Sequence, residues 1–448
     1  MFGNLRWPVL ALLGCVLVAP AQGQSTGLED LVGVYRLALD ADPRLRGQHF
    51  ELEALRERRR EDLARLLPSV SLTGDVSRTR REQLQSGLVD DESITREFTR
   101  SSFRLGLRQP LYDEPARYRL RRGDSEVDRG EAELEVARQG LVFRVAEAYV
   151  SALGAQSAVE LSREELAAVE ASRERVEGLY AEQMAAITDL EEVRARRDRA
   201  YANLIRSEGE LAVALERLSE ITNTPHQRLA PLREEARLPM LEPEDDDAWV
   251  DLAMTDSPEI LAARQGVTSS ELQIRAARAE RYPNLDLVAS YSYLDDLDGT
   301  AFGRKLEDLA LGVELRVPLY AGGGISAGVR GARYLRDREQ ESLEQVRRGV
   351  RGEVLKSLRA LQSGRSEIAA FEQAVRSSER GAEAVQTGFE AGLRSVVDVL
   401  DAQRDLVSAR REWVQARHEY LLNLLALRRA AGVLDEHDIV AVNDLMSP

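Results

Sequence analysis

Apolar and polar residues alternate with two distinct periods along this chain. Leu285, Leu287, Ala289, Tyr291 and Tyr293 alternate with Asp286, Ser290 and Ser292, and Leu309, Leu311, Val313, Leu315 and Val317 with Gly312, Glu314 and Arg316. Earlier, Val70, Leu72 and Val76 alternate with Ser71, Thr73 and Asp75, and Phe103, Leu105 and Leu107 with Arg104 and Arg108. A period of two predicts strands with one apolar and one polar face, here at about 69–80, 97–110, 284–295 and 307–318. Elsewhere the period is helical. Leu400, Val407, Val414 and Leu421 recur at seven-residue steps beside Leu406, Trp413, Tyr420 and Leu427, a stripe wide enough for neighbours on both sides. Between Pro115 and Tyr180 no proline interrupts the helical pattern. A helix of that length spans about 100 Å. Ala186 to Ile221 and Pro43 to Leu67, stacked end to end, nearly match it, and Ala321 to Phe389 is the second long element.

The pattern is written twice. Tyr35 to Pro43 (YRLALDADP) recurs as Val250 to Pro258 (VDLAMTDSP), and Leu66 to Val70 (LLPSV) as Arg281 to Leu285 (RYPNL). Gln109 to Tyr112 (QPLY) recurs as Val317 to Tyr320 (VPLY), and Ala186 to Leu190 (AITDL) as Ser395 to Val399 (SVVDV). The spacing drops from 215 to about 208 between Pro68 and Pro110, so the first copy carries the longer connection there. The expected organisation is an N-terminal segment 1–21, a first repeat 22–223 and a linker 224–247 rich in Pro, Glu and Asp. A second repeat, 248–432, and a tail, 433–448, follow. Pro43 and Pro258 fit the first turn of a helix, where the missing N–H costs nothing.

Val9 to Val18 is an apolar run of signal-peptide length, too short to span a bilayer as a helix. Ala19-Pro20-Ala21 supplies small residues for cleavage after Ala21. Leu12 to Cys15 also reads as a lipid-attachment box that would anchor the chain through Cys15. Either route exports the protein. No later stretch is apolar enough for a transmembrane helix, so a membrane span must consist of strands, apolar to lipid and polar to lumen. The competing reading is an exported soluble sheet with one solvated face. Four strands are too few to close a barrel alone, whereas three chains give twelve. Tyr112, Tyr282, Tyr291, Tyr293, Phe302 and Tyr320 cluster near strand ends, as aromatic girdles do. The loops at about Glu82 to Arg96 and Leu297 to Lys305 would face outside.

Composition narrows the function. The 448 residues carry a formal net charge of −16, and 31% are charged. Of 61 basic residues only Lys305 and Lys356 are lysines. An acidic surplus argues against nucleic acid, which needs clustered excess basic charge. One cysteine excludes a disulfide framework, and His49, His226, His418 and His437 have no metal-ligand spacing. Gly322-Gly323-Gly324 lacks the Gly-Lys-Ser/Thr ending of a phosphate loop and reads as a strand-to-helix turn. The arginine runs 56–60 and 119–122 read as solvated helix faces, with lipid headgroups as a second possibility. No nucleophile–base set has recognisable context, so no catalytic residue and no cofactor is assigned.

Phe389 to Gln403 (FEAGLRSVVDVLDAQ), Ala416 to Tyr420 (ARHEY) and Ala431 to Ile439 (AGVLDEHDI) resemble the TolC family of outer-membrane factors, and the likeness extends over nearly all of the exported chain. It implies an internally duplicated α+β membrane protein. Three copies would form a twelve-stranded outer-membrane β-barrel, four strands per chain, continued by a twelve-helix periplasmic α-barrel. It implies a passive exit duct for a tripartite efflux pump or type I secretion system, not an enzyme. Its partners would be outer-membrane lipid, a periplasmic adaptor and an inner-membrane transporter of the RND, ABC or MFS type.

The turns between long and short helices would be the far end of the tube. Asp398 and Asp401, three apart, share a helix face, and in a trimer would make a ring of six carboxylates, whose mutual repulsion raises their pKa values. Asp189 and Glu192 sit at the equivalent offset in the first copy, Glu192 as part of a possible second ring. The resemblance implies cation binding at Asp398 and Asp401, and a latch among Thr188, Asp189, Phe389 and Arg394. Phe389 stands where a hydrogen-bonding tyrosine is found in the family's best-known member, which leaves Arg394 to Asp189 as the expected contact. Against the bland reading of Asp398 and Asp401 as carboxylates favoured at a helix start stands this match. The rival from another class is a periplasmic coiled-coil scaffold that conducts nothing and needs no lipid-facing strands.

Overall fold

A computed structural model describes residues 28–86, 91–243, 245–296 and 304–447. The segment 1–21, Cys15 and Phe302 lie outside the described residues, as does most of the 297–305 loop.

Thirteen elements follow one another among the described residues. They are α1 (Leu31–Ala41), α2 (Pro43–Ala64), β1 (Ser69–Ser86), β2 (Asp91–Tyr112), α3 (Glu114–Ala181), α4 (Ile187–Thr222), α5 (Asp246–Asp256), α6 (Pro258–Ala279), β3 (Asn284–Asp296), β4 (Arg304–Arg316), α7 (Gly324–Glu390), α8 (Val396–Ala430) and α9 (Glu436–Asn443). Pro43, Pro115 and Pro258 all stand in the first turn of a helix. α3, with 68 residues, is about 100 Å long. It packs against α2 and α4, with 22 and 36 residues, and also against α6 and α8; α7 likewise packs against α6 and α8. The short helices α1, α5 and α9 are additional to the expected elements. Asp42 and Ser257, the residues before Pro43 and Pro258, end α1 and α5 with ψ near 120°, the conformation a following proline favours.

The strands form one antiparallel sheet in the order β1-β2-β3-β4. The first hairpin is longer than alternation implied, because pairing runs unbroken from Ser69↔Arg108 to Ser86↔Asp91. The segment expected as a loop at Glu82 to Arg96 is therefore mostly strand backbone. β4 stops at Arg316, before Pro318, which cannot donate to a ladder. The register aligns the apolar residues on one face: Leu72 opposes Leu105, Leu105 opposes Tyr291, and Tyr291 opposes Leu309. Among the described residues nothing covers that face. Leu72 is 70% exposed, Leu309 83% and Leu311 76%. The other face carries Arg104, Asp286 and Arg108, with Arg108 and Asp286 in an ion pair at 2.5 Å.

The main core lies midway along the helices, where α1, α9 and the segment around Leu229 close over α3, α4 and α8. Tyr149 is fully buried there, and its hydroxyl donates to the carbonyls of Glu29 (2.9 Å) and Ala230 (3.1 Å). The linker crosses α8, where the buried Arg417 donates to the carbonyls of Arg233 (2.7 Å) and Ala236 (3.3 Å) and lies over the Trp413 ring. Burial, with the Arg417 charge beside it, lowers the His418 pKa to about 4, so that imidazole is neutral at ordinary pH.

Candidate functional site: the helix tips

The same turn is built twice at the sheet-distal end. α3 ends at Ala181 and α4 begins at Ile187; α7 ends at Glu390 and α8 begins at Val396. Met184 N donates to Leu179 O and Leu393 N to Gly388 O, both at 2.8 Å. These bonds satisfy carbonyls left over at the helix end and need one left-handed residue. Gln183 (φ 67°) supplies it in the first copy and Gly392 (φ 74°) in the second, 209 positions on.

The two turns share one apolar cluster. Val169, Val176, Leu190 and Val193 of the first copy meet Val396 and Leu400 of the second, with Phe389 packed against them. Phe389 thus acts as a hydrophobic plug between the copies, a place where a phenol would bring a polar group needing a partner.

The carboxylates divide into two kinds. Asp398 is three positions inside α8 and closes a capping box with Ser395. Its Oδ2 accepts from the Ser395 amide and hydroxyl, each at 2.9 Å, while Ser395 Oγ accepts from the Asp398 amide at 3.2 Å. The bond from the Ser395 backbone, then that from its side chain, then the Arg394 charge hold the Asp398 carboxyl below the usual range. Like-charge repulsion was expected to raise it. Within one chain the hydrogen bonds to its ionised form outweigh desolvation, and the repulsion expected of a ring would come only from other copies. Asp189 does the same work on α4, accepting from the Ala186 amide at 3.3 Å.

Asp401 instead reaches across the copies. Its Oδ1 accepts from Arg196 Nη1 of α4 at 2.7 Å, and Arg196 also holds Glu192 at 3.2 Å. Arg404 stands 3.9 Å from Asp401. Arg196 went unnoticed in the sequence, although one signal was present: the second copy has Asp405 at the matching position, 209 on, so the repeat inverts its charge there. Thr188 is exposed on the first turn of α4. Arg394 is exposed with its stem against Gly388, and among the described residues it makes no ion pair with Asp189 within the chain. Among the described residues no three or more His, Cys, Asp or Glu side chains could hold a metal.

A sheet with one apolar face uncovered among the described residues and one polar face, carried on helices about 100 Å long with charged tips, has the form of a membrane-inserted element on a long stalk. Comparison with known proteins agrees. The outer membrane efflux protein family matches at residues 34–224 and 249–433, and the chain belongs to that family. Outer membrane protein TolC of Vibrio cholerae is 30% identical over 418 residues, covering 93% of each chain. The alkaline protease secretion protein AprF of Pseudomonas aeruginosa is 30% identical over 414 residues, covering 92% of this chain and 86% of its own. Among solved structures, the outer-membrane channel OprN superposes with a TM-score of 0.74 at 19% identity, covering 96% of this chain and 98% of that one. The Neisseria gonorrhoeae MtrE channel in its open state gives 0.73 at 20%, covering 90% and 89%. The chain is thus an outer-membrane channel protein of the efflux and secretion class and has no catalytic role.

Proposed function

We propose that three copies assemble into a passive channel-tunnel, a twelve-stranded barrel in the outer membrane continued by a twelve-helix barrel in the periplasm. The observation that carries this reading is the sheet. It exposes a continuous apolar face, and among the described residues β1 and β4 each have only one neighbour. In a bilayer every backbone polar group must be paired, so the two edges need other strands. A second and third copy supply them, and closure abolishes the edges altogether. The polar face with Arg104, Arg108 and Asp286 then lines the lumen.

The tips form the periplasmic gate, closed at rest and opened by untwisting of the short-helix pairs when an adaptor and an inner-membrane transporter dock. Energy comes from that transporter, so the duct itself needs no cofactor. TolC and AprF are named for the outer membrane and for protease secretion, and both fit this reading. Asp398 and Asp401 form the cation-binding ring with Glu192 adding charge nearby, while Thr188, Asp189, Phe389 and Arg394 line the closed constriction. Because Arg394 has no ion pair within its own chain among the described residues, its latch partner is the Asp189 carboxylate of the adjacent subunit. Arg394→Ser is expected to raise single-channel conductance in planar bilayers; an unchanged conductance places the latch elsewhere.

Electron microscopy of the detergent-purified protein tests the assembly. A three-fold particle with a membrane collar and a tube of about 100 Å is expected. A thin rod without a collar would favour the scaffold reading, and a compact globule would exclude both.

A further inference from the structure

Of the four helix ends that meet the sheet, those of α3, α6 and α7 carry six exposed arginines: Arg117 and Arg121 on α3, Arg275 and Arg278 on α6, Arg330 and Arg333 on α7. All lie within about 14 Å of the sheet-proximal end of their helix, at 1.5 Å per residue. Over the same stretch these helices expose the carboxylates of Glu271 and Glu280 and half-bury that of Glu114, so this part of the surface is basic in a chain whose net charge is −16.

The six share one side. α3 turns Gly123 toward Arg59 of α2, and Arg122 and Glu126 toward Gln273 and Ser269 of α6. Arg117 and Arg121, one turn apart, occupy the face left over. On α6, Ile274 and Ala277 face Val329 and Ala332 of α7, leaving Arg275 and Arg278 on its exposed stripe. On α7 the residues beside that contact, Arg330 and Arg333, project to the same side at 3.6 residues per turn. That side is the apolar side of the sheet. The Arg117 guanidinium lies 5.5 Å from the centre of the Tyr112 ring, and Tyr112 pairs with Leu285, which pairs with Leu315 on the apolar face.

These charges are not consumed internally. Among the described residues Arg117 has one ion pair, with Glu114 at 3.5 Å, besides the Tyr112 ring. Arg121 lies over the Tyr118 ring. Among the described residues Arg121, Arg275, Arg278, Arg330 and Arg333 make no ion pair. α3 and α6 already have neighbours of the same chain on both flanks, so an adjacent subunit does not cover their outer face. A planar guanidinium matches phosphate oxygens in pairs, and basic residues just beyond an apolar belt attract anionic headgroups.

We propose that this face is a docking surface for anionic phospholipid headgroups in the leaflet nearest the helices. The proposal rests on the membrane-barrel reading above and adds a headgroup preference to it.

The test is native mass spectrometry of the full-length protein in micelles containing equal amounts of phosphatidylglycerol and phosphatidylcholine with identical acyl chains. The wild type is expected to retain phosphatidylglycerol about tenfold over phosphatidylcholine, with the preference shrinking in about 0.5 M salt. The variant Arg117→Gln/Arg121→Gln/Arg275→Gln/Arg278→Gln is expected to retain both equally while keeping wild-type conductance in phosphatidylcholine bilayers. A wild type without preference, or a variant that keeps it, overturns the proposal. So does displacement of the lipid by inorganic phosphate at equal concentration, which would mark a free-anion site. A protein that neither inserts into bilayers nor conducts overturns the membrane reading itself, and the lipid surface with it.

Discussion

Replacing Asp398 and Asp401 together by alanine is expected to abolish block of the channel by multivalent cations, raising the half-blocking concentration by at least about 100-fold. In the proposed trimer the Asp398 and Asp401 carboxylates of three copies sum their fields in a narrow space where water screens poorly, with Arg196 offsetting part of the charge at Asp401, and removing them leaves no comparable attraction. Asp398 is ionised under ordinary conditions, because Ser395 holds its carboxyl below the usual range. Block recorded between neutral pH and pH 5 should therefore change little, and should weaken only at a pH low enough to protonate that carboxyl. Asp398→Asn separates charge from structure. It removes the charge yet keeps an acceptor for the Ser395 amide, so the cap of α8 largely survives. Arg196→Gln works in the opposite direction. Asp401 is neutralised by Arg196 at 2.7 Å, and freeing it should lower the half-blocking concentration. The pair is partly exposed and contributes little in water, so the shift is about threefold to fivefold. Unchanged block in the double alanine variant would remove both aspartates from the constriction. Unchanged block in Arg196→Gln alone would mean that Asp401 lies outside it.

The second large effect is on folding. Gly432→Ala is expected to destabilise the protein by about 2–5 kcal/mol, the sum of a left-handed residue and an overpacked contact. Gly432 has φ 79° and follows the end of α8, where its amide donates to Arg429 O at 2.9 Å. An added Cβ would lie 2.6 Å from Ser257 Cα, 2.8 Å from Pro258 Cδ and 2.9 Å from Asp256 O. The Gly432 carbonyl also accepts from the buried Gln139 side chain at 2.9 Å, so this one residue ties α8 to α3 and to the α5–α6 junction. Gly392 provides the control. It has φ 74° but nothing within 4 Å of an added Cβ, so Gly392→Ala should cost only the backbone part, about 1–2 kcal/mol. Thermal unfolding of both variants in detergent separates the two contributions. Equal losses would show that close packing at Gly432 contributes nothing.

Much of the fold was legible because its signals are local and doubled. Alternation from Leu285 to Tyr293 fixes a strand and its faces without reference to any other residue. Prolines at 43, 68, 258 and 283 punctuate both copies at one spacing. The long β1–β2 hairpin was less visible. Its outer half is polar, and what holds it is cross-strand pairing, which leaves little trace in a one-sided pattern. α1, α5 and α9 were likewise obscured, since helices of 11, 11 and 8 residues give too few turns for a clear period and owe their stability to packing on the central core.

The tip shows the same division. Asp189 and Asp398 could be placed at helix starts because a capping carboxylate three residues into a helix is a property of the local chain. That Arg196 reaches Asp401, or that Phe389 fills a cluster drawn from both copies, requires knowing which helices lie side by side. The sequence by itself determined the duplication, the strand faces, the long helices and the family. The tertiary structure alone decided which tip charges are paired, that Gly432 admits no side chain, and that the arginines of three helices share the apolar side of the sheet. Periodicity records what each segment requires of its surroundings. Contacts between segments some 200 residues apart depend on how the two copies dock, and neither copy carries that information alone.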